Sequence, residues 1–187
     1  MKYSRDWALK RQVAIGRELE CRLFWGHRGR AGGVITSACL SQWFPSPFKH
    51  DGVRYRTAEH WMMAEKARLF GSSKIENSIL AASEPGQAKA LGRKIKAFDS
   101  KVWDQHKFDI VVRGNGLKFA QNAAMRDYLL NTGNLVLVEA SPVDPVWGIG
   151  LAADDKGACD PRAWRGENLL GFALMEVRDQ LRHTERR

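Results

Sequence analysis

The stretch from Thr57 to Gly71 limits what this chain can fold into more than any other. It opens on a residue that caps helices and closes on a glycine that stops them. Between the two lie Ala, Met, Glu, Lys and Leu, all strong helix formers. With Thr57 as N-cap, Glu59 falls in the first turn, where free amides and the macrodipole favour an ionised carboxylate. Glu59, Met62, Met63, Lys66 and Phe70 recur at three- and four-residue steps, so they share one helix face. That face is mostly apolar, yet it carries an acid and an amine two turns apart. Two readings are open on the pattern alone: a functional Glu59/Lys66 pair, or snorkelling side chains that form a salt-bridge rim.

At 187 residues the chain is long enough for one domain with a real core, and 44% apolar and 27% charged residues are globular proportions. Residues 1–21 read as a charged helical extension and 22–187 as the domain proper. No run approaches the length of a membrane span. The start, Met1-Lys2-Tyr3-Ser4-Arg5-Asp6-Trp7, is charged and lacks the apolar centre of a signal peptide. Cys21, Cys39 and Cys159 are odd in number and form no Cys-x-x-Cys pair. They are expected to be reduced thiols of a cytoplasmic protein, without a zinc site. The five histidines show no metal spacing either.

A net charge of +9 points to a polyanionic partner or a phosphorylated substrate. Lys89, Arg93 and Lys96 follow a helical spacing, with Lys94 and Lys101 nearby. They form either a solvated helix face or a rail for phosphates.

Around the central helix the expected architecture is mainly α with a few short β-strands, an α+β single domain. Arg22–Trp25 reads as a strand, and Gly26–Gly33 as a flexible basic connection carrying His27, Arg28 and Arg30. Val34–Phe48 is expected to be a strand followed by an irregular loop, since Pro45 and Pro47 close it. Asp51-Gly52 is a hairpin turn signal before Val53-Arg54-Tyr55. Helices are expected over Lys74–Ala82, over Glu84–Ala97 with Ser83 as cap, and from Lys101 to Ala120 despite Gly114-Asn115-Gly116. Further helices are expected at Ala123–Leu130 and Trp164–Arg182. Leu135–Glu139 is the best strand of the second half.

The loop Glu139-Ala-Ser-Pro-Val-Asp144-Pro-Val-Trp147-Gly148-Ile-Gly150 is the second informative place. Glycine lets backbone amides approach a ligand, and an indole stacks on a sugar or base. Equally, Trp147 can plug the core while the glycines turn the chain. Asp144 can hold a ribose hydroxyl or form an Asx-turn. Seven tryptophans are many for this length, and Trp103, which follows the basic stretch, is the second candidate for ring stacking. His60 adjoins Glu59 but points about 100° away on a helix, which favours a core or surface role.

Taken in order, several stretches resemble the NADAR family of YbiA-like proteins. They are Phe24-Trp25, Leu40–Phe44, Thr57–Trp61 with Lys66, Trp103, Val138-Glu139 through Asp144-x-x-Trp147-Gly148-x-Gly150, and Asn168–Arg178. The set spans about residues 22 to 182. Trp25, Gln42 and Ile149 stand where the family has Tyr, Asn and often Asp, which blurs substrate choice.

The resemblance implies an N-glycosidase that breaks a ribose C1′–N bond without metal or organic cofactor. One branch of the family removes ADP-ribose from the amino group of guanine in nucleic acid, sometimes as antitoxin to an ADP-ribosyltransferase. Another cleaves phosphorylated riboflavin-pathway intermediates. A third possibility is a non-catalytic ADP-ribose or nucleic-acid reader. The resemblance makes Glu59 the general acid/base, or Lys66 a nucleophile that forms a Schiff base. Trp103 and Trp147 would stack on the base or sugar, with Gly148 and Gly150 beside them. Asp144 and Asn168 would hold ribose hydroxyls.

Overall fold

The computed structural model describes residues 1–29 and 31–185; Arg30 of the basic connection lies outside them. Seven helices and four short strands follow one another. They are α1 (Arg5–Ile15), β1 (Cys21–Phe24), β2 (Phe48–His50), β3 (Val53–Tyr55), α2 (Ala58–Leu69), α3 (Ser73–Ala81) and α4 (Pro85–Gly92). Then come α5 (Ser100–Gln121), α6 (Ala123–Asn131), β4 (Val136–Glu139) and α7 (Leu169–Glu185). The fold is mainly α with a few short strands, as the sequence implies. No described helix is long and apolar enough to cross a membrane.

Helix α2 is the axis of the molecule, packed against α3, α4 and α5. Thr57 caps it, its Oγ1 accepting from the His60 amide at 3.4 Å. The helix is buried nearly all round, from Ala58 through Ala64, because neighbours cover it on several sides. Two glycines permit the closest of these approaches. A Cβ at Gly114 of α5 would lie 2.2 Å from Trp61 Cδ1, and one at Gly92 of α4 would lie 2.3 Å from Met63 Sδ. The Trp61 indole donates to Ile110 O at 2.9 Å, locking α2 to α5. Gly114 therefore marks a helix crossing, and α5 runs through it unbroken.

On the far side, α7 packs against α5 and against β4, and β4 pairs in parallel with β1 from Cys21↔Val136 to Phe24↔Glu139. The β2–β3 hairpin turns at Asp51 (φ 48°) and Gly52 (φ 78°), the two positive angles that a tight hairpin requires.

Three expectations need correcting. Val34–Phe48 holds no strand; Ser37–Leu40 forms a 3-10 turn capped by Thr36, with Cys39 and Leu40 fully buried. Its backbone partners lie in its own turn and in α5, so no sheet edge is left for it. Helix α4 stops at Gly92, and its capping box is Glu84 with Gln87, not Ser83. Lys96 consequently lies past the helix end, and the basic face does not continue through it. Helix α7 starts at Leu169 because Asn168 sits at φ 56°, outside helical space. The N-terminal segment docks on α7 and on the loop before it. Tyr3 OH donates to Asp179 at 2.7 Å, Arg5 Nε donates to Pro161 O at 3.0 Å, and Ala8 is fully buried.

Candidate active site

Three walls meet around a cleft of about 660 Å³. The first is α2, which presents Glu59, Met62, Met63 and Lys66 to it. Glu59 is only 2% exposed. Its amide donates to Gln42 O at 3.0 Å, which ties the start of α2 to the loop after the 3-10 turn. That loop is itself fixed from beneath by α5. Buried Lys118 donates to Cys39 O at 2.7 Å and to Ser41 O at 2.9 Å, and Asn115 donates to Gln42 Oε1 at 2.8 Å. Ser41, Gln42 and Trp43 reach the cleft as a result.

His60 takes no part. Thr57 Oγ1 lies 2.8 Å from its Nδ1, and its Nε2 donates to Ala82 O at 3.1 Å. Both ring nitrogens are used structurally, and burial lowers its pKa.

The second wall is the end of β4 and the loop after it, which supply Glu139, Ser141, Asp144 and Trp147. Asp144 Oδ1 accepts from the amides of Val146 (3.0 Å) and Trp147 (2.9 Å), an Asx-turn that aims the Trp147 ring. The third wall is cationic and aromatic: Lys89 from α4, Arg93 just past its end, Trp103 from α5, and Trp25 at the mouth, 59% exposed.

The structure thus brings Glu59, Lys66, Trp103, Asp144 and Trp147 onto one cleft. Gly148, Gly150 and Asn168 do not line it. The Asn168 amide is spent on β4: Oδ1 accepts from Glu139 N at 2.9 Å, and Nδ2 donates to Leu137 O at 2.9 Å. Gly148 is needed for space, since a Cβ there would stand 2.9 Å from Glu139 O and 2.8 Å from Ser141 Cβ. Gly150, at φ 69°, passes close to Arg165. Glu139, Lys89, Arg93, Gln42 and Trp43 were absent from the sequence-derived site. The available signal for Glu139 was an acid closing an otherwise apolar strand.

The electrostatics follow from enclosure. Burial raises the Glu59 pKa to about 7, against the pull of Lys89, the Trp43 indole and Arg93. Burial also raises Glu139, to about 8, with the negative charge of Asp144 and Glu59 adding to it. Glu59 Oε1 and Glu139 Oε2 are enclosed with no hydrogen-bond partner. Burial lowers the Lys66 pKa, assisted by Arg93 and opposed by Glu59. The Lys66 amine stands 4.1 Å from the Phe98 ring centre and 5.5 Å from that of Trp103. Among the described residues, no group of three or more His, Cys, Asp and Glu is placed to hold a metal ion.

A single-domain α+β fold whose cleft carries buried proton donors and a poised amine has the equipment of a hydrolase. The NADAR domain model matches residues 23–182. The chain is 46% identical over 146 residues to an N-glycosidase of Acanthamoeba polyphaga mimivirus, covering 75% of this chain and 86% of the relative. It is 33% identical over 135 residues to N-glycosidase YbiA of Escherichia coli (strain K12), covering 72% and 76%. Protein irg-1 of Caenorhabditis elegans is 36% identical over 162 residues, covering 78% and 76%. The NMR structure of the E. coli protein YbiA superposes with a TM-score of 0.69 at 28% identity, covering 89% of this chain and 88% of that one. The chain belongs to the NADAR family. Its activity class is that of an N-glycosyl hydrolase.

Proposed function

We propose that this N-glycosidase removes ADP-ribose from guanine bases in nucleic acid by hydrolysing the ribose C1′–N bond. The supporting observation is one cleft in which the enclosed Glu59 carboxyl and the Lys66 amine face two cations, Lys89 and Arg93, with tryptophans on the walls. A proton donor and a stacking surface suit a glycosidic bond to a planar base, and the cations suit a pyrophosphate. The net charge of +9 suits a substrate carried on a polyanion better than a free metabolite.

As C1′ takes on oxocarbenium character, the bond's electron pair goes to the base nitrogen, and Glu59 handles a proton of the reaction. The nucleophile is water or Lys66. The amine's lowered pKa and its seat against Phe98 and Trp103 favour Lys66, whose Nζ would bond C1′ and hold the opened ribose as a Schiff base until water releases it.

The test uses the purified chain with guanine-ADP-ribosylated DNA and, separately, with phosphoribosyl-aminopyrimidines, beside Glu59→Gln. Release of ADP-ribose from DNA, lost in the variant, is the expected result. Turnover of the pyrimidines alone would move the assignment to metabolite clearance. Binding of ADP-ribose with turnover of neither substrate would make the chain a reader. Borohydride added during turnover separates the two nucleophiles, because only Lys66 attack leaves a trapped adduct.

A further inference from the structure

Glu139 has no part in the reaction as written so far, yet the fold takes more care over its placement than over any other group in the cleft. Its amide donates to Asn168 Oδ1 at 2.9 Å. Its carbonyl accepts from the amides of Ser141 and Ile149, both at 2.9 Å. Gly148 is stripped of a side chain where one would strike that carbonyl. Asn168 adopts φ 56° to make its contact, and its other amide atom grips Leu137 two residues earlier on the same strand. Backbone groups are thus held on every side, while the carboxyl projects into the cleft with Oε2 enclosed and unpartnered. An enclosed carboxyl oxygen left without a partner destabilises a fold unless another molecule supplies one. The polar residues around Glu139 satisfy its backbone and leave its side chain for the substrate.

We propose that Glu139 is the second proton-handling residue of this site: it gives its proton to the departing base nitrogen, while Glu59, ionised, takes one from the attacking nucleophile. This rests on the N-glycosidase reading above.

The division of roles follows from what faces each acid. Toward Glu59 stand Lys89 from α4, Arg93 just past its end and the indole of Trp43, all of which favour a carboxylate, against Asp144. Toward Glu139 stands Asp144 on its own loop, opposed by Lys89; the repulsion between Glu139 and Glu59 is mutual and favours neither. A single proton shared by the pair therefore settles on Glu139, as in other acid pairs whose surroundings differ. The balance is complete. The C1′–N bond breaks and its electron pair takes the proton from Glu139. Water or Lys66 bonds to C1′ and yields a proton to Glu59. Transfer of that proton back to Glu139 resets the site. Either nucleophile needs the leaving nitrogen protonated, so the assignment is the same for both.

The experiment compares the full chain with Glu139→Gln by two readouts. The first is infrared titration of the free protein between pH 6 and 9, where surface carboxyls are all ionised. Glu59 contributes a protonated-carboxyl band that fades through about pH 7; a second band, fading through about pH 8, is expected in the wild type and is expected to be lost in the variant. The second is turnover of guanine-ADP-ribosylated DNA across the same range. A fall of about 100-fold in kcat with KM changed less than about twofold is expected, together with loss of the alkaline limb of the profile. Retention of the band that fades through about pH 8, or of kcat within about threefold with the limb intact, would overturn the assignment. If Glu139→Gln does not fold, Glu139→Asp carries the test: a shorter acid keeps the limb at reduced kcat if the group donates a proton, whereas an unchanged kcat overturns the proposal. A wild type that turns over no substrate defeats the N-glycosidase reading alone, and the infrared band still decides where the proton sits.

Discussion

Lys118 offers a test of the scaffold that needs no substrate. It is fully buried in α5, its amine donating to Cys39 O and Ser41 O, and burial pushes its pKa from 10.5 down to about 7. In the unfolded chain the same amine titrates near 10.5. Between pH 7 and 10.5 the unfolded state therefore binds the proton that the folded state has released. Stability must rise with pH across that window, by about 1.4 kcal/mol per pH unit for one group. Below pH 7 both states hold the proton, and the full penalty of a buried cation stands. Lys118→Met deletes the group. It also removes two hydrogen bonds to the 39–41 carbonyls, at about 1–3 kcal/mol, but that loss is a constant offset. The measurement is urea unfolding of both proteins at half-unit steps from pH 6.5 to 9.5. The stability of wild type minus variant should climb with pH at close to the stated slope. Other titrating groups cancel in the difference. A flat difference would refute the reasoning, because it would mean that the amine is hydrated or ionised in the folded state as freely as in the unfolded one.

Three other outcomes are expected. Glu59→Gln should lower kcat by at least about 100-fold and yet raise the melting temperature at pH 8. The carboxyl's raised pKa lends stability below pH 4.5 that is lost as pH climbs through about 7, and the amide escapes that loss; equal melting temperatures at pH 8 would count against an enclosed carboxylate. Gly114→Ala should destabilise by about 1–3 kcal/mol in denaturant unfolding although alanine is the better helix former, since its Cβ would strike the Trp61 ring at 2.2 Å. Replacing Lys89 and Arg93 together by glutamine should raise KM for a pyrophosphate-bearing substrate about tenfold and flatten the dependence of KM on salt; steady-state kinetics at two ionic strengths checks this.

Local chemistry made much of this fold legible. Thr57, Asp99 and the Asp51-Gly52 turn each act on their own neighbours, so the starts of α2 and α5 and the β2–β3 hairpin could be read directly. The Glu59/Lys66 face could be read for the same reason, because helical spacing alone puts the two side chains together. Helix α5 passes through Gly114 as expected, but the purpose of Gly114 and Gly92 lies across helix crossings, in Trp61 and Met63, and sequence spacing carries no record of it. Val34–Phe48 misled because β-branched and aromatic residues also line a buried 3-10 turn. Asn168 and Gly148 were placed beside the ligand by the resemblance, which carries no record of the structural task each has at β4. Their true partner, the backbone of Glu139, adjoins them only once β4 has been laid beside β1.

That parallel pairing has a consequence in time. Residues 21–24 must wait for 136–139, and Glu139 is not clamped until Asn168 has arrived as well. Contacts this distant along the chain form late, after the helices between them have condensed. On the ribosome, a growing chain would carry Glu59 and Lys66 long before it could set Glu139 opposite them, so the cleft takes its final shape only after Asn168 has been made.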